Sequence, residues 1–225
     1  MAQRANVSIR RLCCALMIPE PRMNPAVFLL KGGIMYYPDL EQARELAAKY
    51  NRIPVYKEMD ISEPGILMLL KAIQEEHDMI FLESAHSDGS ESRFSFIGYN
   101  PHTVYYFVSP YVIERRNGNS RIVGNDLFGF IKEKTSAYSS PSFEDYGNFN
   151  GGLAGYLGYE CVNQTGILRR PVRESNSIPQ AVLMDLDDFI CHDNVLGKFY
   201  ISTSIYPTEE GLFQTLYNDA QIRLK

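Results

Sequence analysis

From residue 39 onward the apolar positions fall into short helical and extended runs. Asp39 can cap a segment in which Ala43, Leu46, Ala47 and Tyr50 share one face, and Gln42 completes a capping box, so a helix is predicted over 39–50. Residues 53–56 read as a short strand, which Pro54 assigns to a sheet edge or a strand start. A second helix follows, capped by Ser62 with Pro64 in its first turn, and Ile66, Leu69, Leu70 and Ile73 are spaced to pack on a sheet. The continuous apolar run Met79–Leu82 predicts a strand buried on both faces.

Residues 93–99 alternate as a strand until Asn100 and Pro101 break it, and 103–108 and 111–115 continue in the same fashion. Asn117 and Gly118 both tolerate positive φ, so a hairpin turn is predicted there, with Arg121, Ile122 and Val123 returning. A helix over 126–134 buries Leu127, Phe130 and Ile131, and 135–150 reads as a polar loop. Strands at 181–186, 189–191 and 198–205 predict a β-meander. A last helix, opened by Pro207 and capped by Thr208, places Leu212, Leu216, Ala220 and Leu224 on one face. No closing signal follows it, which reads as a cut from a longer chain. The sum is an α+β fold of mainly antiparallel sheets with flanking helices.

Composition and charge narrow the function classes. The 225 residues carry a net charge of −5, and no concentrated basic face of the kind that neutralises phosphates is legible, so a nucleic-acid partner is not expected. Residues 1–34 depart from the rest, with Arg4, Arg10, Arg11, Arg22 and Lys31 against Glu20 alone. This stretch reads as a basic extension, either disordered or translated from a start assigned too early, in preference to an export signal; 35–225 reads as the folded domain. No apolar stretch approaches about 20 residues, so no membrane span is expected. Cys13, Cys14, Cys161 and Cys191 lack paired spacing and the four histidines form no ligand pattern, which argues against a zinc site or disulfide framework and fits a reducing cytoplasm.

Several clusters could carry chemistry. Glu83 and Ser84 leave one strand where the chain turns polar and Arg93 opens the next, bringing a carboxylate, a hydroxyl and a guanidinium toward one sheet end, as an amino acid's ammonium and carboxylate require. On physics alone a surface ion pair with a capping serine is the simpler account. The glycine run 151–160 lacks the lysine and the strand-to-helix context of a phosphate loop; it reads as close strand approach, with Tyr156 and Tyr159 packing over the missing side chains. His192 and Asp193 point to opposite faces of a strand and read as turn residues. Asp185, Asp187 and Asp188 lack a third same-side ligand for Mg²⁺ and read as a solvated strand end. Tyr105, Tyr106, Phe107 and Tyr111 near Arg115 and Arg116 read as core and hairpin packing rather than as a base-stacking platform.

Three blocks carry a family resemblance: Phe81-Leu82-Glu83-Ser84, Arg93-Phe94-Ser95-Phe96-Ile97-Gly98, and Gly151-Gly152-Leu153-Ala154-Gly155-Tyr156-Leu157-Gly158-Tyr159-Glu160. Together they resemble the amino-terminal half of anthranilate synthase component I. The resemblance implies the amino-terminal part of a β-sandwich-like body that both halves of the chain build, leaving a surface meant for the other half. It implies that Glu83, Ser84 and Arg93 belong to a pocket for tryptophan as feedback inhibitor: Glu83 accepting from the ammonium, Ser84 helping to hold the ligand, and Arg93 offsetting charge or orienting the pocket. The other walls, and the residues for chorismate and Mg²⁺, lie in the carboxy-terminal half, so no catalytic or metal residue is expected here. The implied partners are that catalytic half, in cis or as a separate chain, and a glutamine amidotransferase subunit. Two alternatives stay open: the amino-terminal domain of aminodeoxychorismate synthase component I, and a free-standing amino-acid-binding module or split-enzyme subunit.

Overall fold

The structure, a computed structural model, describes residues 35–59, 65–76, 78–83, 93–143, 147, 149–166, 178–207 and 212–225. The expectations for 1–34, for the caps Ser62 and Thr208 and for Pro64 lie outside these residues. Among the described residues two five-stranded antiparallel sheets form, which is the predicted α+β class. The first contains β1 (Ile53–Met59), β2 (Met79–Leu82), β3 (Phe94–Tyr99), β9 (Asp188–Asp193) and β10 (Lys198–Ile205), in the order β1-β10-β9-β3-β2. The second contains β4 (Thr103–Val108), β5 (Tyr111–Arg116), β6 (Asn119–Gly124), β7 (Gly152–Leu157) and β8 (Ala181–Leu186), in the order β6-β5-β4-β8-β7.

Local chemistry sets several elements as read. Helix α1 (Leu40–Ala47) starts at Asp39, whose side chain accepts from Gln42 N while the Gln42 side chain accepts from Asp39 N, the predicted capping box. Asn117 and Gly118 both have positive φ and close the β5–β6 hairpin. Asp126 caps α3 (Leu127–Ser136) through Gly129 N. Pro54 sits on β1, an edge strand, where its missing N–H costs no ladder bond.

Alternation along the strands gives each sheet two covered faces. On the first sheet, Ile53, Val55 and Ile205 pack under α1 and α4 (Phe213–Arg223), while Ile97, Ile190 and Phe199 meet Ile66, Leu69, Leu70 and Ile73 of α2 (Gly65–Glu76). Its other face gathers Tyr56, Phe189, Cys191 and Tyr200 against Phe96, Phe143 and Phe149. On the second sheet, Tyr105, Phe107, Ala181 and Leu183 pack on Leu127 and Phe130 of α3, and the opposite face groups Val104, Ala154, Met184 and Leu186 with Ile80 of β2.

Four expectations are corrected. Residues 181–205 are not a meander: β8 pairs with β4 and β7, whereas β9 pairs with β3 and β10, and only Asp187 separates β8 from β9, so the chain crosses between sheets in one step. Strand β2 has both faces packed, through Phe81 and Ile80, but it is an edge strand and only half-buried. The buried face of α4 is Phe213, Tyr217, Ala220 and Leu224, with Leu216 at its margin and Leu212 outside, because the two aromatic rings fill more of the space over β10. Tyr159 does not pack over the glycines: it opens a short 3-10 helix (Tyr159–Thr165) and is 74% exposed. Tyr156 is half-buried, with its hydroxyl donating to Pro179 O at 2.8 Å. Gly155 is required by close approach, since a Cβ there would overlap the Val182 carbonyl.

Candidate functional site

The β2–β3 pair sets the sheet end singled out in the sequence. Leu82 pairs with Phe96, so Glu83 leaves β2 at the end where Arg93 enters β3. Glu83 is exposed, Arg93 is partly exposed, and Ser84 lies outside the described residues.

Arg93 is held from below. Its guanidinium donates to Asp193 Oδ2 from Nε at 2.9 Å and from Nη2 at 2.5 Å, and it stacks over the Phe94 ring at 4.8 Å. Asp193 ends β9 and is fully buried, and its Oδ1 accepts from the N–H groups of Val195 and Leu196, both at 3.0 Å. Burial alone would raise the Asp193 pKa, but the bonds from Arg93, Leu196 and Val195 outweigh it and leave the carboxyl below its ordinary range. The turn role expected of Asp193 is therefore joined by a second one. His192 stacks on Phe199 with ring centroids 4.1 Å apart, and burial lowers its pKa.

The three aspartates at the crossover form the other polar centre, and the solvated strand end expected there is overturned. Asp187 is 1% exposed and Asp188 7%. Asp187 Oδ1 accepts from Arg52 and from the Tyr206 hydroxyl at 2.5 Å, and its Oδ2 faces His102 Nε2 at 2.5 Å. Burial opposes ionisation of Asp187, yet the bonds from His102, Arg52 and Tyr206 carry its pKa downward. His102 is raised in turn, chiefly by its bond to Asp187. Asp185, lacking such donors, is raised by burial. Asp188 takes Thr203 Oγ1 at 2.5 Å, Asn100 Nδ2 at 3.2 Å and Arg223 Nη1 at 3.5 Å. Gly151, at φ +86°, lets Arg52 in, since a Cβ there would overlap the guanidinium and stand 2.6 Å from Leu186 O.

Asp187 and Asp188 already serve protein donors, which leaves the crossover without the set of oxygen ligands a hard cation needs, and among the described residues no three His, Cys, Asp or Glu side chains gather as a metal site. None of the helices described is long and apolar enough to cross a membrane. Alternation reasoning missed Asp187 and Asp193 because their partners lie far along the chain, at Arg52, His102 and Arg93.

No family model matches the chain. It is similar to anthranilate synthase component 1 of Acetivibrio thermocellus, with 27% identity over 192 residues that make up 85% of this chain and 38% of the relative. Anthranilate synthase component 1 of Arthrobacter globiformis is 30% identical over 200 residues, 84% of this chain and 36% of the relative. A solved structure of anthranilate synthase component I from Streptococcus pneumoniae TIGR4 aligns with 74% of this chain and 36% of that one, at 18% identity and a TM-score of 0.42. These relatives bear out the resemblance drawn from the three sequence blocks. The chain spans little more than a third of the length of these two relatives.

Proposed function

We propose that this chain is the effector-binding, non-catalytic part of an anthranilate synthase component I, with tryptophan received by Glu83, Ser84 and Arg93. The observation that carries the reading is that Glu83 and Arg93 leave the same end of one strand pair, within a stretch similar to that enzyme over most of its length. An exposed carboxylate there complements an ammonium group, and a fixed guanidinium complements a carboxylate. In this reading a further polypeptide, in cis or separate, supplies the remaining walls of the pocket and the residues that hold Mg²⁺ and chorismate. A glutamine amidotransferase subunit delivers ammonia, and the assembled enzyme forms anthranilate and pyruvate in the cytoplasm. The crossover aspartates do not fit the metal, so no step is assigned to it in this chain.

The chain contains no tryptophan, so excitation near 295 nm reads almost only the ligand's indole. Titrating the chain into L-tryptophan should change that emission saturably. With only part of the pocket present, the affinity should be weak, in the range of about 1 mM. Emission that stays linear in protein up to several millimolar would remove the effector assignment.

A further inference from the structure

We propose that His102 works as a proton-operated latch between the two passages by which the chain crosses from one sheet to the other, gripping most firmly when its imidazole is charged. All five strands of the second sheet lie between residues 103 and 186, and the two passages are the ends of that stretch: 100–102, from β3 to β4, and Asp187, from β8 to β9. They lie side by side, because β3 pairs with β9 and β4 with β8, with Tyr99 opposite Asp188 and Thr103 opposite Asp185. One passage has three residues where the other has one, so the longer must stand out from the ladders. Asn100 turns it at φ 51°, in the left-handed region that Asn tolerates.

Three bonds tie the longer passage down. His102 N donates to Asp185 O at 3.0 Å, Asn100 Nδ2 donates to Asp188 Oδ2 at 3.2 Å, and His102 Nε2 donates to Asp187 Oδ2 at 2.5 Å. The imidazole is 47% exposed, so protons reach it, while the carboxylate it grips is buried. The charged groups that face the ring are three carboxylates, Asp185 of β8, Asp187 of the passage and Asp188 of β9. The cations nearby are spent on those same groups: Arg52 and the Tyr206 hydroxyl take the other oxygen of Asp187, Arg223 of α4 takes the other oxygen of Asp188, and Lys134 of α3 acts on Asp185. Loss of the Nδ1 proton leaves the Nε2–H bond in place but removes the attraction of a full charge to the three carboxylates. The bond to Asp187 raises the pKa of His102, so the grip is complete below 6.5 and weakens as pH rises through the raised value. Release frees 100–102 from Asp187 while the ladders of both sheets stay closed.

Amide hydrogen exchange on the ¹⁵N-labelled chain tests the latch. The His102 amide reports the passage, and the Gln180 amide, bonded to Phe107 O at 2.8 Å at the opposite end of β4, reports the second sheet away from it. Each protection factor is taken against the intrinsic rate at the same pH, and the readout is the ratio of the two. In the native chain that ratio should fall about fivefold from pH 5.5 to pH 8.5, a modest change because the ring is half-exposed. Its midpoint should lie above 6.5 and coincide with the titration of the His102 Cε1 shift. In His102→Gln, which keeps a neutral donor toward Asp187, the ratio should not change with pH. A constant ratio in the native chain, or the same fall in His102→Gln, overturns the latch. Should His102→Gln not fold, the native chain alone decides, since a midpoint that departs from the His102 titration refutes the assignment. Protection lost equally at both amides refutes it too, because the proton would then act on the whole fold and not on the passage.

Discussion

Replacing Arg52 with methionine tests how the crossover is held. Arg52 and Asp187 are 3% and 2% exposed at their side chains, so neither charge has water to fall back on. Arg52 Nε donates to Ser204 Oγ at 3.1 Å, Nη2 donates to Leu186 O at 2.6 Å, and Nη2 also pairs with Asp187. Removing one partner of a buried pair costs about 3–5 kcal/mol, mostly because the other charge is left behind. Here Asp187 keeps His102 and Tyr206, and methionine refills much of the apolar volume, so the lower end of about 3 kcal/mol is expected. Arg52→Lys keeps the charge but loses the fork, which predicts about 1–2 kcal/mol. Urea unfolding followed by circular dichroism reads both values directly. A loss below about 1 kcal/mol for Arg52→Met, at unchanged m, would mean that the pair contributes no net stability and that packing alone holds the two sheets at Asp187.

Two further outcomes follow from the same geometry. The pKa of His102 is raised above its ordinary 6.5 by Asp187, so its contribution is complete below 6.5 and lost as pH rises through the raised value; His102 is half-exposed, which limits the effect to about 1 kcal/mol. The stability difference between the native chain and His102→Gln should shrink from pH 6 to pH 9, and a difference independent of pH refutes the coupling. Gly155→Ala should cost about 1–3 kcal/mol in urea unfolding, because its Cβ meets the Val182 backbone, whereas Gly124→Ala, with open space around it, should stay within about 0.5 kcal/mol. Equal effects at the two positions would refute close strand approach as the reason for the glycine.

What the sequence disclosed was mostly what lies within a few residues of itself. The Asp39 capping box and the Asn117-Gly118 turn depend on neighbours no more than three positions away, and both were legible, as was the helix beginning near Asp126, though not its cap. The helical face of α2 was legible too, because its apolar spacing alone defines it. Asp187 was misread because alternation assumes that a strand stays in one sheet, and its donors Arg52 and His102 lie 135 and 85 residues away. Asp193 was read as a turn residue, and its pairing with Arg93, 100 residues distant, could not be inferred from spacing. On α4 the periodicity was visible, but Leu212 was given a place that the bulk of Phe213 and Tyr217 takes.

The single-residue passage at Asp187 has a mechanical consequence. Two layers joined by a flexible linker can part and re-close independently, but here the backbone leaves one layer and enters the next within about two Cα steps of about 3.8 Å each. Any excursion that peels β9 away must pull β8 out of register against β4 and β7. The layers are therefore one cooperative unit, and a fluctuation that opened either would be felt at once in the other.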